Sequence, residues 1–238
     1  MDGEKYILFG GAGDGNDDFS IAADEMIRLA DKESPEYLFI GFAQLEPHHG
    51  FEYYGTLFAQ KGCKTSLMTY DDISKAEAAK KKIDSADIIF IMGGDTRKLI
   101  DTLNRYGVSY MLRAAAKKGT VMSGFSAGEI CLCRAGMSKD GEYYLQDGIG
   151  CLDFLCCPHP LTSKKRYERF LCEMSAFPGA VGVAFDGAGL EIANGRYRSL
   201  VFCPDGYMSK IVRTEKGETV FEEVGEDWRP IRLLTGVI

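Results

Sequence analysis

Ser126 is the residue best placed to do covalent chemistry. It stands at the centre of Gly124-Phe125-Ser126-Ala127-Gly128, after an apolar run and before a helical pattern from Ala127 to Cys133. The glycines permit a sharp strand-to-helix turn that presents the hydroxyl at a helix N-terminus, the geometry of a nucleophile elbow. There the backbone N–H of Ala127 can face a developing oxyanion, helped by the helix dipole. The blander reading is a glycine-rich turn whose serine caps a helix. The strand before it and the helix after it favour the first.

A serine hydroxyl is not ionised at neutral pH, so it needs a base. Three histidines are present. His159, in Cys157-Pro158-His159-Pro160, has proline on both sides to stiffen its backbone. His48 and His49, between Pro47 and Gly50, read as spectators. A third group should orient the imidazole, and Asp140, Glu142, Asp147 and Asp153 all lie between Ser126 and His159. Residue types alone leave that choice open.

Met92-Gly93-Gly94-Asp95-Thr96 is the second motif, at the end of the clearest apolar run. Ligands bind at such strand ends in open α/β sheets. Two glycines let a backbone N–H approach a substrate oxygen closely, so Gly94 is a candidate second oxyanion donor and Asp95 an N-cap for the next helix. The glycine-rich stretch from Gly10 invites a dinucleotide reading that fails. Gly11 and Gly13 fit the fingerprint, but Asn16 takes the place of its last glycine, and no acidic residue follows the second strand where a ribose would need one. No cofactor and no metal ion are expected.

These residues need a scaffold, and the apolar pattern supplies one. Buried strands are expected at Tyr6–Phe9, Tyr37–Phe42, Lys64–Tyr70, Ala86–Met92 and Thr120–Gly124. Helical patterns run over Ser20–Asp31, Phe51–Gln60, Ser74–Ile83, Thr96–Arg105 and Ser109–Lys118. Unbroken strands alternating with amphipathic helices indicate an α/β fold, a mostly parallel sheet covered on both faces. After about residue 180 short strands follow at Val181–Asp186, Leu190–Ala193, Tyr197–Phe202, Met208–Thr214 and Thr219–Glu223. They are separated by Asp186-Gly187, Asn194-Gly195, Asp205-Gly206 and Lys216-Gly217, so a C-terminal antiparallel β element is expected. With no linker, repeat or low-complexity stretch, residues 1–238 read as a single domain.

Composition narrows the partners. The 238 residues carry a net charge of −7, a poor match to the phosphate neutralisation that nucleic-acid binding requires. No apolar run approaches the roughly 20 residues of a membrane span, and Met-Asp-Gly-Glu-Lys does not open a signal peptide. The eight cysteines include no paired C-x₂-C spacing for zinc and read as reduced thiols of a cytoplasmic protein. The expected partner is a small substrate, not nucleic acid or membrane, with the chain a monomer or a homodimer.

Taken in order, strand–Gly-Gly-Asp-Thr–helix, strand–Gly-Phe-Ser-Ala-Gly–helix, Pro-His and an antiparallel tail resemble the peptidase E and cyanophycinase family of serine peptidases. The resemblance spans strand 1 to about residue 193. It implies a flavodoxin-like three-layer sandwich of the class I glutamine amidotransferase type, with Ser126 where the amidotransferases carry Cys. It further implies Ser126 as nucleophile, His159 as base 33 residues on, Gly94 and Ala127 as the oxyanion hole, and Asp140, with Glu142 as rival, as the acid. Arg166 lies where the aspartyl dipeptidases of the family carry an arginine suited to a substrate carboxylate. The implied activity is hydrolysis of small peptides, including dipeptides with N-terminal Asp. Two positions depart from the family pattern, Glu129 for the frequent Ala and Asp95 for the usual Asn. Both add acid to the substrate-binding region. Another serine hydrolase, acting on an ester or amide, and a non-catalytic member of the family are the alternatives.

Overall fold

The computed structural model describes residues 3–10, 19–161, 163–177, 179–214 and 216–235. Of the glycine-rich stretch read against dinucleotide binding, Gly10 to Asn16, all but Gly10 lies outside the described residues. The first half alternates strands and helices: β1 (Lys5–Gly10), α1 (Phe19–Ala30), β2 (Glu36–Ile40), α2 (Pro47–Gln60), β3 (Lys64–Leu67), α3 (Tyr70–Ile73), α4 (Ala76–Ser85), β4 (Ile88–Ile91), α5 (Thr96–Arg105), α6 (Val108–Lys117), β5 (Val121–Phe125) and α7 (Ala127–Leu132). Strands dominate the remainder: β6 (Cys133–Asp140), β7 (Glu142–Asp147), β8 (Leu152–Pro158), α8 (Lys164–Met174), β9 (Val181–Asp186), β10 (Ala188–Ala193), β11 (Arg196–Val201), β12 (Tyr207–Arg213), β13 (Thr219–Glu223), β14 (Arg229–Pro230) and α9 (Arg232–Thr235).

The fold is mixed α/β, as expected, but it holds two sheets. The larger has the order β14-β11-β10-β1-β5-β4-β2-β3. Its strands from β1 to β3 are parallel, and β10, β11 and β14 extend it antiparallel. Side chains alternate across it. Ile7, Phe9, Phe39 and Phe90 face α1 and α2, where they pack with Ala22, Met26 and Phe58. Leu8, Ile40 and Ile89 face the opposite cluster, with Leu99, Leu112 and Ile130 of α5, α6 and α7. Glu191, buried in β10, accepts from Arg28 of α1 at 2.6 Å and from Arg198 of β11 at 2.7 Å, fastening α1 to the sheet.

The second sheet, β13-β12-β9-β8-β6-β7, is a departure from the sequence reading. Val183, Phe185 and Met208 of this sheet join the core cluster behind β1. The five late strands were expected as one antiparallel element. Asn194-Gly195 and Lys216-Gly217 do close hairpins within a sheet, whereas Asp186-Gly187 and Asp205-Gly206 carry the chain from one sheet to the other. A turn dipeptide reverses the chain without choosing the edge on which the next strand lands. Three smaller differences have local causes. Pro47 at the first turn starts α2 ahead of Phe51. A Thr69/Asp72 capping box converts the end of the third strand into α3. The helix expected from Ser74 begins at Ala76. Among the described residues no helix is long and apolar enough to cross a membrane.

Candidate active site

β5 is buried along most of its length and delivers the chain to Ser126, whose φ of 53° and ψ of −105° are rare for a residue with a Cβ. Such a conformation costs roughly 1–3 kcal/mol and persists only where surroundings hold it. Here the Ser126 N–H donates to the Phe9 carbonyl at 3.1 Å, and its own carbonyl accepts from Ile130 N–H at 3.1 Å. The two glycines of the motif are steric necessities. A Cβ on Gly128 would lie 1.9 Å from the Ile91 carbonyl oxygen, and one on Gly124 would lie 2.4 Å from that of Gly128. Ser126 is thus the pivot of a turn packed too tightly for larger residues.

His159 arrives from the other sheet. β8 ends at Pro158, and His159 follows with a positive φ of 54°. Its Nε2 lies 3.0 Å from Ser126 Oγ, within hydrogen-bond reach of a nucleophile and its base. The Phe125 ring meets the imidazole edge to face, centroids 6.1 Å apart. Gly93 and Gly94 close the third side. A Cβ on Gly93 would sit 3.0 Å from Ser126 Cβ, and Gly94, with φ of 140°, lies against the Ala43 carbonyl.

The remaining expected residues divide. Asp95 caps α5, accepting from Lys98 N–H at 2.9 Å. Glu129 is wholly buried in α7, and no nitrogen or oxygen donor among the described residues reaches its carboxyl oxygens. Burial pushes its carboxyl well above the ordinary range, and the Cys156 thiol and the Arg166 charge only partly oppose that rise. Arg166 donates through Nη1 to the Pro158 carbonyl at 2.8 Å and stacks over Tyr143, 5.3 Å from its centroid. His48 and His49 are exposed in the first turn of α2.

Asp140 and Glu142 face each other across the tip of the β6–β7 hairpin. Both are exposed, and Asp140 pairs with Arg97 at 3.3 Å. Asp147 is exposed, and Asp153 pairs with Arg134 at 3.2 Å. A carboxylate absent from the sequence reading lies deeper. Asp186 ends β9, is only 4% exposed, and accepts from the N–H of Leu161 at 3.1 Å, two residues beyond His159. Its neighbour Phe185 stands opposite Pro158 in the β8–β9 register. Asp186-Gly187 reads in sequence as a turn, and it lies beyond His159, outside the interval from Ser126 to His159 in which the orienting acid is expected. The pairing of β8 with β9 is the signal, and it is not local.

The cysteines around the site make poor nucleophiles. Burial pushes the Cys151 thiol up to about 12 and raises those of Cys131, Cys133, Cys156 and Cys157. All eight cysteines are free.

A strained serine between strand and helix, with an imidazole nitrogen at hydrogen-bond distance, is the constellation of a serine hydrolase on a mixed α/β scaffold. Comparison with known proteins narrows the class. The chain belongs to peptidase family S51, whose profile matches residues 6–200. It is 25% identical over 241 residues to the uncharacterized peptidase YgaJ of Bacillus subtilis (strain 168), covering 97% of this chain and 99% of that one. Over 114 residues it is 29% identical to Peptidase E of Shewanella denitrificans, covering 48% of this chain and 47% of that relative. The crystal structure of a peptidase from an acI-B1 Actinobacterium shares the fold, with a TM-score of 0.68 at 14% identity over 95% of this chain and 96% of that one.

Proposed function

We propose that this protein is a serine peptidase that cleaves small peptides through an acyl-enzyme. Family membership supports the class, and the 3.0 Å contact between Ser126 Oγ and His159 Nε2 is the observation that carries the mechanism. Ser126 Oγ attacks the scissile carbonyl carbon while His159 takes the hydroxyl proton. The tetrahedral oxyanion faces the backbone N–H groups of Gly94 and Ala127, each worth on the order of 3 kcal/mol in the transition state. Collapse breaks the C–N bond, and His159 gives its proton to the leaving amine. Water, activated by the same imidazole, then frees the acid and restores Ser126.

For the orienting acid, the resemblance points to Asp140 or Glu142, and burial favours Asp186. An acid that steadies an imidazolium acts best where water does not screen it. Specificity for N-terminal Asp would rest on Arg166, one arm of which is occupied by the Pro158 carbonyl. Eight free thiols fit a reducing compartment such as the cytoplasm.

Ser126→Ala should lower dipeptide hydrolysis by at least about a thousandfold while far-UV dichroism and Tm hold. A Ser126→Ala protein as active as the parent would overturn the mechanism.

A further inference from the structure

Beside the elbow, on the α1/α2 face of the large sheet, lies a cavity of about 270 Å³ lined by Phe9, Phe19, Ala22, Tyr54, Phe125 and Phe202, with Tyr53 at its mouth. We infer that this cavity receives an apolar, ring-bearing side chain adjoining the scissile bond, so that the preferred substrates are small peptides carrying Phe, Tyr or Trp. The inference rests on the serine peptidase reading and adds a substrate class to it.

Position is the first argument. Phe125 is the residue before Ser126 and packs against the catalytic imidazole. Phe9 holds the Ser126 N–H through its carbonyl. Two walls of the cavity therefore belong to residues that build the nucleophile turn.

Size and lining agree with a ring. An apolar cavity of about 150 Å³ suffices for benzene, so this one has room for a benzyl, phenol or indole group. The Phe9 ring meets those of Phe19, Phe125 and Phe202 at 5.4, 5.4 and 5.7 Å, tilted or edge-on, and Phe19 meets Tyr54 edge-on at 4.6 Å. Such faces and edges suit one more aromatic ring. None of the described lining residues carries a charge. An Asp side chain entering it would meet no counter-ion among them. Ala22 is the small residue that keeps the space open. Elsewhere on the same face Phe39, Phe58 and Phe90 fill it.

The test has two arms. A fluorophosphonate probe should label the parent protein and not Ser126→Ala, which reports the nucleophile independently of substrate. A panel of Phe-Ala, Ala-Phe, Asp-Ala, Ala-Asp and Ala-Ala should show a Phe peptide cleaved at least about tenfold better than Ala-Ala in kcat/KM, with the Asp peptides below it. Ala22→Leu, which fills the cavity, should reduce the Phe-to-Ala preference by about tenfold. Tyr53→Ala, at a largely exposed position that leaves the core intact, should reduce it by about threefold. Labelling of Ser126 with a flat panel, whether all peptides are cut alike or none is cut, overturns the substrate class and leaves the serine hydrolase standing. A preference for Asp or Ala does the same. Absence of labelling overturns both.

Discussion

The tip of the β6–β7 hairpin and the end of β9 both carry acids in the second sheet, at opposite extremes of hydration. At the tip, the Asp140 side chain is 67% exposed and its partner Arg97 is 56% exposed, an ion pair in which water screens both charges. At the end of β9, Asp186 is 4% exposed, and its carboxylate is tethered to the backbone beside His159. The chemistry of the two side chains is identical. A carboxylate in water is mobile and its field is weak, worth about 1 kcal/mol at 4 Å, whereas an acid in the protein interior is fixed and acts several times more strongly. Sequence position favours the first acid, and the demands of orienting an imidazole favour the second.

Exchanging the two acids would break this comparison most directly. Asp186→Asn should lower kcat by a hundredfold to ten-thousandfold, about the range spanned when a triad acid is neutralised. The acid limb of the kcat/KM–pH profile should move to lower pH, because a lost carboxylate no longer holds the imidazolium proton. A purely structural Asp186 would lower Tm and leave the profile in place.

Glu129 sharpens the same contrast, being buried like Asp186 but with no ion pair among the described residues and only the Cys156 thiol and the Arg166 charge to offset its burial. Because burial raises its folded-state pKa, the protonated form is the one that folding favours. That contribution is complete below the unfolded carboxylate value near 4.3 and is lost as pH rises toward the raised value. Gln cannot ionise, so the stability of Glu129→Gln relative to the parent should climb as pH rises above the unfolded carboxylate value, by at most about 1.4 kcal/mol per pH unit, read by urea denaturation. A difference independent of pH would mean that Glu129 is charged in the folded protein.

The hairpin acids carry the smallest expected effect. Asp140→Asn and Glu142→Gln should change kcat/KM by less than about threefold and stability by less than about 1 kcal/mol, as for other exposed pairs. A hundredfold loss in Asp140→Asn would reverse the assignment and restore the acid that the family resemblance implies.

Much of the scaffold and half of the site were legible in the sequence. The buried parallel strands announce themselves as runs such as Ile88-Ile89-Phe90-Ile91, since a strand covered on both faces must be apolar throughout. β6 and β7 did not, because the tip of the hairpin is exposed and its apolar pattern is diluted with Lys139, Asp140 and Glu142. The elbow around Ser126 was legible for a different reason. Its glycines answer to contacts within a few residues and to the neighbouring end of β4, so the motif carries its own geometry.

What the sequence determined by itself is therefore local: which runs become strands and helices, where the chain turns sharply, and that Ser126 and His159 are the residues equipped to act on each other. The tertiary structure decided everything that depends on pairing between distant segments. It split the late strands between two sheets, laid β9 beside β8 so that Asp186 came to rest near His159, and left a space among Phe9, Phe125 and Phe202 beside the nucleophile. Local sterics act between neighbours in the chain and leave a mark in residue type and spacing. Strand registers, burial and cavities arise from the packing of segments far apart in sequence, and no short stretch of residues encodes them.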